Sequence, residues 1–181
     1  INDVENIAVL CEKYEAKFHC DTVQSIGHVD LDLSKVSIDF AAGSAHKFHG
    51  PKGIGFLFIR KGNSLRSFLV GGKQEQGFRA GTENVSGIIG LGAAIKLCDT
   101  HKVEFRTAIS DVSLYFKQQI HRYLPMVIVN GCPVSSPHIV SLSIDSVKIN
   151  KMFLFNLDMK GFALSGGSAC SSGAVKSHVA E

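Results

Sequence analysis

The sequence predicts an α/β fold, a sheet covered on both faces followed by a smaller α/β or α+β lobe. Three observations predict it. Apolar runs of strand length alternate with loops and with longer segments of helical period. The early strand-like runs hold few polar residues, as strands buried on both faces do. The composition changes near residue 100, dividing the chain into 1–100 and 101–181. The 181 residues are enough for a buried core, and 45% hydrophobic with 19% charged residues is the balance of a globular protein.

The elements follow in order. Val4, Ile7, Ala8, Leu10 and Cys11 recur at helical spacing behind Asn2 or Asp3, either of which can cap the helix. Ala16 to Cys20 reads as a first strand, residues 35–42 as a second and Ile54 to Arg60 as a third. Glycines 71, 72, 77 and 81 mark a long irregular segment. Val85 to Cys98, rich in small and branched apolar residues, reads as a buried helix, and Phe105 to Tyr123 as an amphipathic helix ending before Pro125. In the second lobe Val127–Val129 and Ile139–Ile144 are strand-like, Lys148 to Met159 is helical, and Phe162–Leu164 is a short strand entering a Gly/Ser/Cys loop.

Charge and cysteine usage narrow the function classes. A net charge of +3 without a block of like charges gives no reason to expect nucleic acid or a membrane surface as partner. No apolar stretch reaches the length of a membrane span. Five cysteines, an odd number without a Cys-x-x-Cys pair, make a poor disulfide or zinc framework and fit a reducing, cytoplasmic compartment. His19, Cys20, His46 and His49 match no compact ligand spacing, so no metal is expected. The chain opens directly into a helical pattern without Met, which points to a preceding segment.

Lys47 is the first candidate for chemistry. It sits in Ser44-Ala45-His46-Lys47, a polar turn between an apolar run and the glycine-rich Gly50-Pro51-Lys52-Gly53. A lone loop lysine is ordinarily a surface residue. Here Asp21 also closes a neighbouring apolar run, and ligands of open α/β sheets gather at the carboxyl ends of strands. A lysine and an aspartate so placed suit pyridoxal phosphate: the lysine holds the cofactor covalently and the carboxylate pairs with its ring nitrogen. Ser44, His46 and the turn's amides suit a phosphate. Taken alone, Asp21 reads better as a turn or capping residue, and Gln24, one turn on, carries no signal. Cys170 lies in Ser165-Gly166-Gly167-Ser168-Ala169-Cys170-Ser171-Ser172-Gly173, a run too small and polar to pack a core and therefore expected to be mobile. A cysteine in such a run either reaches into a site and carries something away or is incidental. Cys11 and Cys98, on apolar helix faces, are expected in the core.

Together, Asp21-Thr22-Val23-Gln24-Ser25, Ser44-Ala45-His46-Lys47, Gly50-Pro51-Lys52-Gly53, Arg79-Ala80-Gly81-Thr82-Glu83-Asn84 and Ser168-Ala169-Cys170-Ser171 resemble the cysteine desulfurases, class V of the fold-type I pyridoxal phosphate enzymes. The match is in the family's order over nearly the whole chain. The resemblance implies a mostly parallel sheet with helices on both faces. Residues 1–100 would be the second half of the cofactor-binding large domain, and 101–181 an incomplete small domain bearing the cysteine loop. It further implies that Lys47 is the Schiff-base lysine, Asp21 the partner of the ring nitrogen and Gln24 the donor to the phenolic oxygen. Ser44 and His46 would be phosphate ligands. Thr82 would reach the phosphate of a neighbouring subunit, in a homodimer with composite sites. Cys170 would be the nucleophile that takes sulfur from L-cysteine as a persulfide and releases L-alanine. Its sequence context is similar to the subgroup that feeds iron–sulfur assembly and tRNA thiolation, which implies sulfur-acceptor or scaffold proteins as partners.

The family's first phosphate-binding segment, its ring-stacking histidine and its carboxylate-clamping arginine have no matching positions here. The resemblance therefore also implies a partial chain, inactive alone. A selenocysteine lyase or aminotransferase of the same class, in which Cys170 is dispensable, and a non-catalytic scaffold homologue remain open alternatives.

Overall fold

The computed structural model describes residues 1–132, 135–144 and 152–166. The chain divides into two compact units, Ile1–Ser110 with Ser136–His138, and Asp111–Ser135 with Ile139–Glu181.

In the first unit, helix α1 (Val4–Lys13) starts at Asp3, whose carboxylate accepts the Asn6 amide at 3.1 Å. Of the two expected caps it is Asp3 that serves. Strand β1 (His19–Asp21) pairs in parallel with β2 (Phe40–Ser44), with Asp21 opposite Ala42. Strand β3 (Gly55–Ile59) adds to β2 antiparallel, Gly43 facing Phe56. A Cβ at Gly43 would lie 2.3 Å from the Phe56 ring, so any larger residue there would displace that ring.

Two strands begin later than the apolar runs predict, and the backbone hydrogen bonds explain both. The Ala16 amide is engaged by the Cys11 carbonyl at 2.8 Å, with Glu15 at φ 53°, so Ala16 belongs to the exit from α1. The run 35–42 is extended only from Phe40. The carbonyls of Leu33, Val36 and Ile38 are captured by the Arg60 guanidinium at 2.6–2.8 Å, which satisfies them outside any ladder.

Two apolar clusters support this sheet. Ala8, Phe18, Val36, Ile38 and Ala41 form the first, with α1 against it. The second joins Ala45 and Phe48 to Ala94 and Cys98 of helix α2 (Val85–Thr100). Helix α3 (Lys102–Tyr123) begins immediately after α2, one turn earlier than its periodicity predicts.

The second unit holds a two-stranded antiparallel pair, β4 (Ile128–Asn130) with β5 (Ser141–Ser143), and the short helix α4 (Phe153–Asp158). The expected strand Phe162–Leu164 is absent. The Phe162 amide donates to the Leu157 carbonyl at 2.9 Å and Gly161 takes φ 84°, so this stretch caps α4 instead. The start of the expected helix Lys148–Met159 lies outside the described residues. Among the described residues no helix is long and apolar enough to cross a membrane.

Candidate active site at the carboxyl ends of two parallel strands

Asp21 and Ser44 are the last residues of β1 and β2. Because these strands run parallel in adjacent positions, both residues leave the sheet at the same edge, where a ligand of an α/β sheet is held.

After β1, Thr22 is wholly buried. Its amide and hydroxyl both donate to the Ala42 carbonyl, at 2.9 and 2.7 Å, tying the turn 22–29 to the end of β2. Asp21 Oδ1 accepts the Val23 amide at 2.9 Å. The capping role and a role toward a ligand are thus compatible, since Oδ2 accepts no hydrogen bond among the described residues. Gln24 is exposed on the same turn.

After β2, a single 3₁₀ turn, Ala45–Phe48, carries His46 and Lys47. Phe48 and Ala45 are its buried anchors, at 0% exposure, against α2. The turn closes through the His49 and Gly50 amides, which both donate to the Ala45 carbonyl, with His49 in the left-handed region at φ 66°. Ser44 Oγ lies 2.9 Å from His46 Nδ1, placing a hydroxyl and an imidazole side by side. Lys47 is half-buried, and its amine makes no ion pair or hydrogen bond among the described residues. An open amine, an open carboxylate oxygen and a hydroxyl–imidazole pair on one sheet edge match the donor set that pyridoxal phosphate requires, so the residues fit that cofactor.

Of the sequence-predicted residues, the structure brings Asp21, Gln24, Ser44, His46 and Lys47 to one edge. Thr82 is elsewhere in the chain's course, exposed, two residues before Asn84, the N-cap of α2. Cys170 lies outside the described residues. Cys98 is buried as its helix face predicts. Its thiol, pushed up in pKa by burial, meets the Phe48 carbonyl at 3.7 Å. Cys11 is half-buried against the first cluster. Burial, and then the Asp21 carboxylate, also push up the Cys20 thiol, which keeps it protonated beside the site. No three His, Cys, Asp or Glu side chains gather as metal ligands among the described residues.

Two residues that sequence reasoning passed over also stand here. His28 Nε2 lies 2.9 Å from the Lys47 carbonyl oxygen, and the His138 ring stacks on His28 with centroids 4.0 Å apart. His28 follows Gln24 by one helical turn, a weak signal. Nothing in the sequence pairs it with His138.

Comparison with known proteins accords with this geometry. The chain is 37% identical to the cysteine desulfurase IscS of Dictyoglomus turgidum and 40% identical to that of Clostridium botulinum, in each case over 99% of its own length and 46% of the relative's. It spans about half the length of the curated relatives it matches. The structure superimposes on a NifS-like protein from Rickettsia africae with a TM-score of 0.85 at 30% identity, covering 92% of this chain and 46% of that one. The class-V aminotransferase family profile matches residues 1–180, and the chain belongs to that family.

Proposed function

We propose that the protein carrying this chain is a pyridoxal phosphate-dependent cysteine desulfurase that converts L-cysteine to L-alanine and takes the sulfur onto Cys170. The observation that carries the reading is the sheet edge where Asp21 ends one parallel strand and Lys47 follows its neighbour on the 3₁₀ turn, with an amine and a carboxylate oxygen that have no hydrogen-bond partner among the described residues. Alignment with cysteine desulfurases at 37% and 40% identity over 99% of the chain supports it.

In this reading Lys47 would hold the cofactor, and its amine would take the substrate's α-proton. Asp21 Oδ2 holds the proton of the ring nitrogen, and Gln24 donates to the phenolic oxygen. Ser44 Oγ, His46 and the amides of the 3₁₀ turn bind the phosphate, and Thr82 reaches the phosphate of the neighbouring subunit in a homodimer. The cofactor supplies an electron sink for the carbanion at the substrate's α-carbon. The Cys170 thiolate attacks the substrate sulfur: a sulfur–sulfur bond forms and the carbon–sulfur bond breaks, its electron pair passing to the β-carbon. That carbon takes up a proton, the α-proton is returned, and alanine leaves. The persulfide then passes to a sulfur-acceptor or scaffold protein in the cytoplasm, for iron–sulfur clusters or thiolation.

The test uses the full-length protein. Borohydride reduction should leave a pyridoxyl adduct on the Lys47 peptide, and cysteine should leave one added sulfur on the Cys170 peptide. Cys170→Ser should keep the adduct and lose alanine release. Undiminished turnover of the amino-acid substrate by Cys170→Ser would point to an aminotransferase or selenocysteine lyase instead, and absence of any adduct would point to a scaffold homologue.

A further inference from the structure

Lys47 is held by its main chain as well as by the packing of its neighbour. Its carbonyl oxygen can only accept, so the contact at 2.9 Å means that His28 Nε2 carries the proton and donates. The next carbonyl, that of Phe48, takes the Cys98 thiol. Two successive carbonyls of the lysine turn are therefore engaged by side chains, and of these His28 is the one attached to the lysine itself.

His28 is fixed in turn from both ends. Its own carbonyl accepts the Arg106 Nε at 3.0 Å, and the Arg106 guanidinium also meets Asp30, joining the turn to α3. Gly27, at φ 81°, passes so close over Phe48 that a Cβ there would lie 2.8 Å from the Phe48 Cβ. On the ring side, His138 lies against His28 at 4.0 Å with the planes 28° apart. The His138 Nδ1 is 2.8 Å from Ser136 Oγ, which sets the orientation of that ring. Ser136–His138 come from late in the chain yet belong to the first unit.

Resting on the reading of Lys47 as the cofactor-bearing lysine, we propose that His28 is a positioning residue for Lys47, and that His138, stacked on it, is the brace that keeps the His28 donor aimed at the Lys47 carbonyl. Burial, and then the neighbouring His28, favour the neutral ring of His138, which is the form that can lie face to face with a second imidazole without repulsion. The pair acts on the backbone of the lysine turn and not on any reacting atom.

The experiment follows amide exchange at His49 and Gly50 in full-length apoprotein, since both amides donate to Ala45 and so report the closed turn. A parallel measurement follows the rate at which added pyridoxal phosphate becomes a borohydride-stable adduct at Lys47. His28→Leu, which fills space without a donor, should speed the exchange and slow the attachment, each about tenfold. His28→Gln, whose amide nitrogen can donate from a similar position, should return both to within about twofold of the parent. His138→Phe, which keeps a stacked ring, should behave like the parent, and His138→Ala should fall between it and His28→Leu. His28→Leu matching the parent in both measurements, or His28→Gln failing as badly as His28→Leu, overturns the proposal. Lys47→Ala separates the two claims. An adduct that persists in it, on another lysine, removes Lys47 from its assigned role, while the exchange rates still decide whether His28 holds the turn.

Discussion

The lysine turn and the stretch from Leu65 to Asn84 both carry residues proposed to hold pyridoxal phosphate, in the same subunit and in a neighbouring one, and they are held in opposite ways. The lysine turn is anchored by Phe48 and Ala45 at 0% exposure and tied to the turn after β1 through His28. The second stretch is exposed through much of its length, with Phe68 at 94% and Val70 at 83%. Its ties are mostly local: Ser67 Oγ and the Ala80 amide donate to the Leu69 carbonyl, the Phe78 amide to Glu75, and the Gly81 amide to the Gln74 side chain. Glu75 and Gln76 sit at positive φ, a conformation that side chains other than glycine rarely take. Lys47 is thus positioned by its own unit. Thr82, on the other stretch, is proposed to reach a neighbouring subunit's site, and large exposed apolar side chains nearby are what a covering second copy would bury.

The largest expected break in this contrast is Phe48→Ala. Removing a fully buried phenyl ring from a packed cluster costs about 3–5 kcal/mol, and here the cavity opens directly beneath the lysine. Chemical denaturation of the full-length protein should register that loss, together with weakened attachment of pyridoxal phosphate. A loss below about 1 kcal/mol would mean that the turn is held mainly by its hydrogen bonds and not by the second cluster.

A smaller effect should come from acid. The proton affinity of His138 is lowered from the ordinary 6.5 by burial first and by His28 second, with the Gln24 backbone working the other way. The unfolded chain therefore binds this proton more readily than the folded one. Stability from the neutral ring is complete above about pH 6.5 and drains away as pH falls through the folded value, at no more than about 1.4 kcal/mol per pH unit for one site. His138→Phe should flatten the denaturation midpoint across that window. Asp30 is clear of it: hydrogen bonds from Arg106 and then Lys102 hold its carboxyl at about 2, so its contribution is lost only between about pH 4 and pH 2. An equally steep fall in His138→Phe would assign the acid sensitivity to other groups.

How far the sequence could be read follows the same division. The edge site was legible because its residues sit close together along the chain, at the ends of runs whose apolar character marks them as strands. Asp21 and Ser44 needed only the strand ends to be right, and they survive the misplaced strand starts at Ala16 and at 35. Those starts went wrong because a helix exit and the Arg60 side chain claim the backbone groups that a ladder would use. Phe162 was misread for a related reason: Gly161 turns its amide back onto α4. The His28–His138 pair was invisible because no local pattern encodes a contact between residues so far apart in sequence.

Phe68→Ser gives the finest test, because the two regions predict different readouts for it. At 94% exposure the ring contributes little within its own unit, so the unfolding free energy should stay within about 0.5 kcal/mol of the parent. If a second copy covers this stretch in the proposed homodimer, the same ring is buried on association, where a phenyl side chain is worth about 1.5–3 kcal/mol. The dimer dissociation constant, followed by sedimentation at falling concentration, should then rise about tenfold or more. Attachment of pyridoxal phosphate to Lys47 should become concentration-dependent over the same range, since Thr82 would reach a phosphate only while the subunits are paired. A dissociation constant unchanged by Phe68→Ser would leave Phe68 outside the interface. A change in unfolding free energy comparable to that of Phe48→Ala would mean that the stretch is packed by its own unit after all, and the contrast between the two regions would collapse.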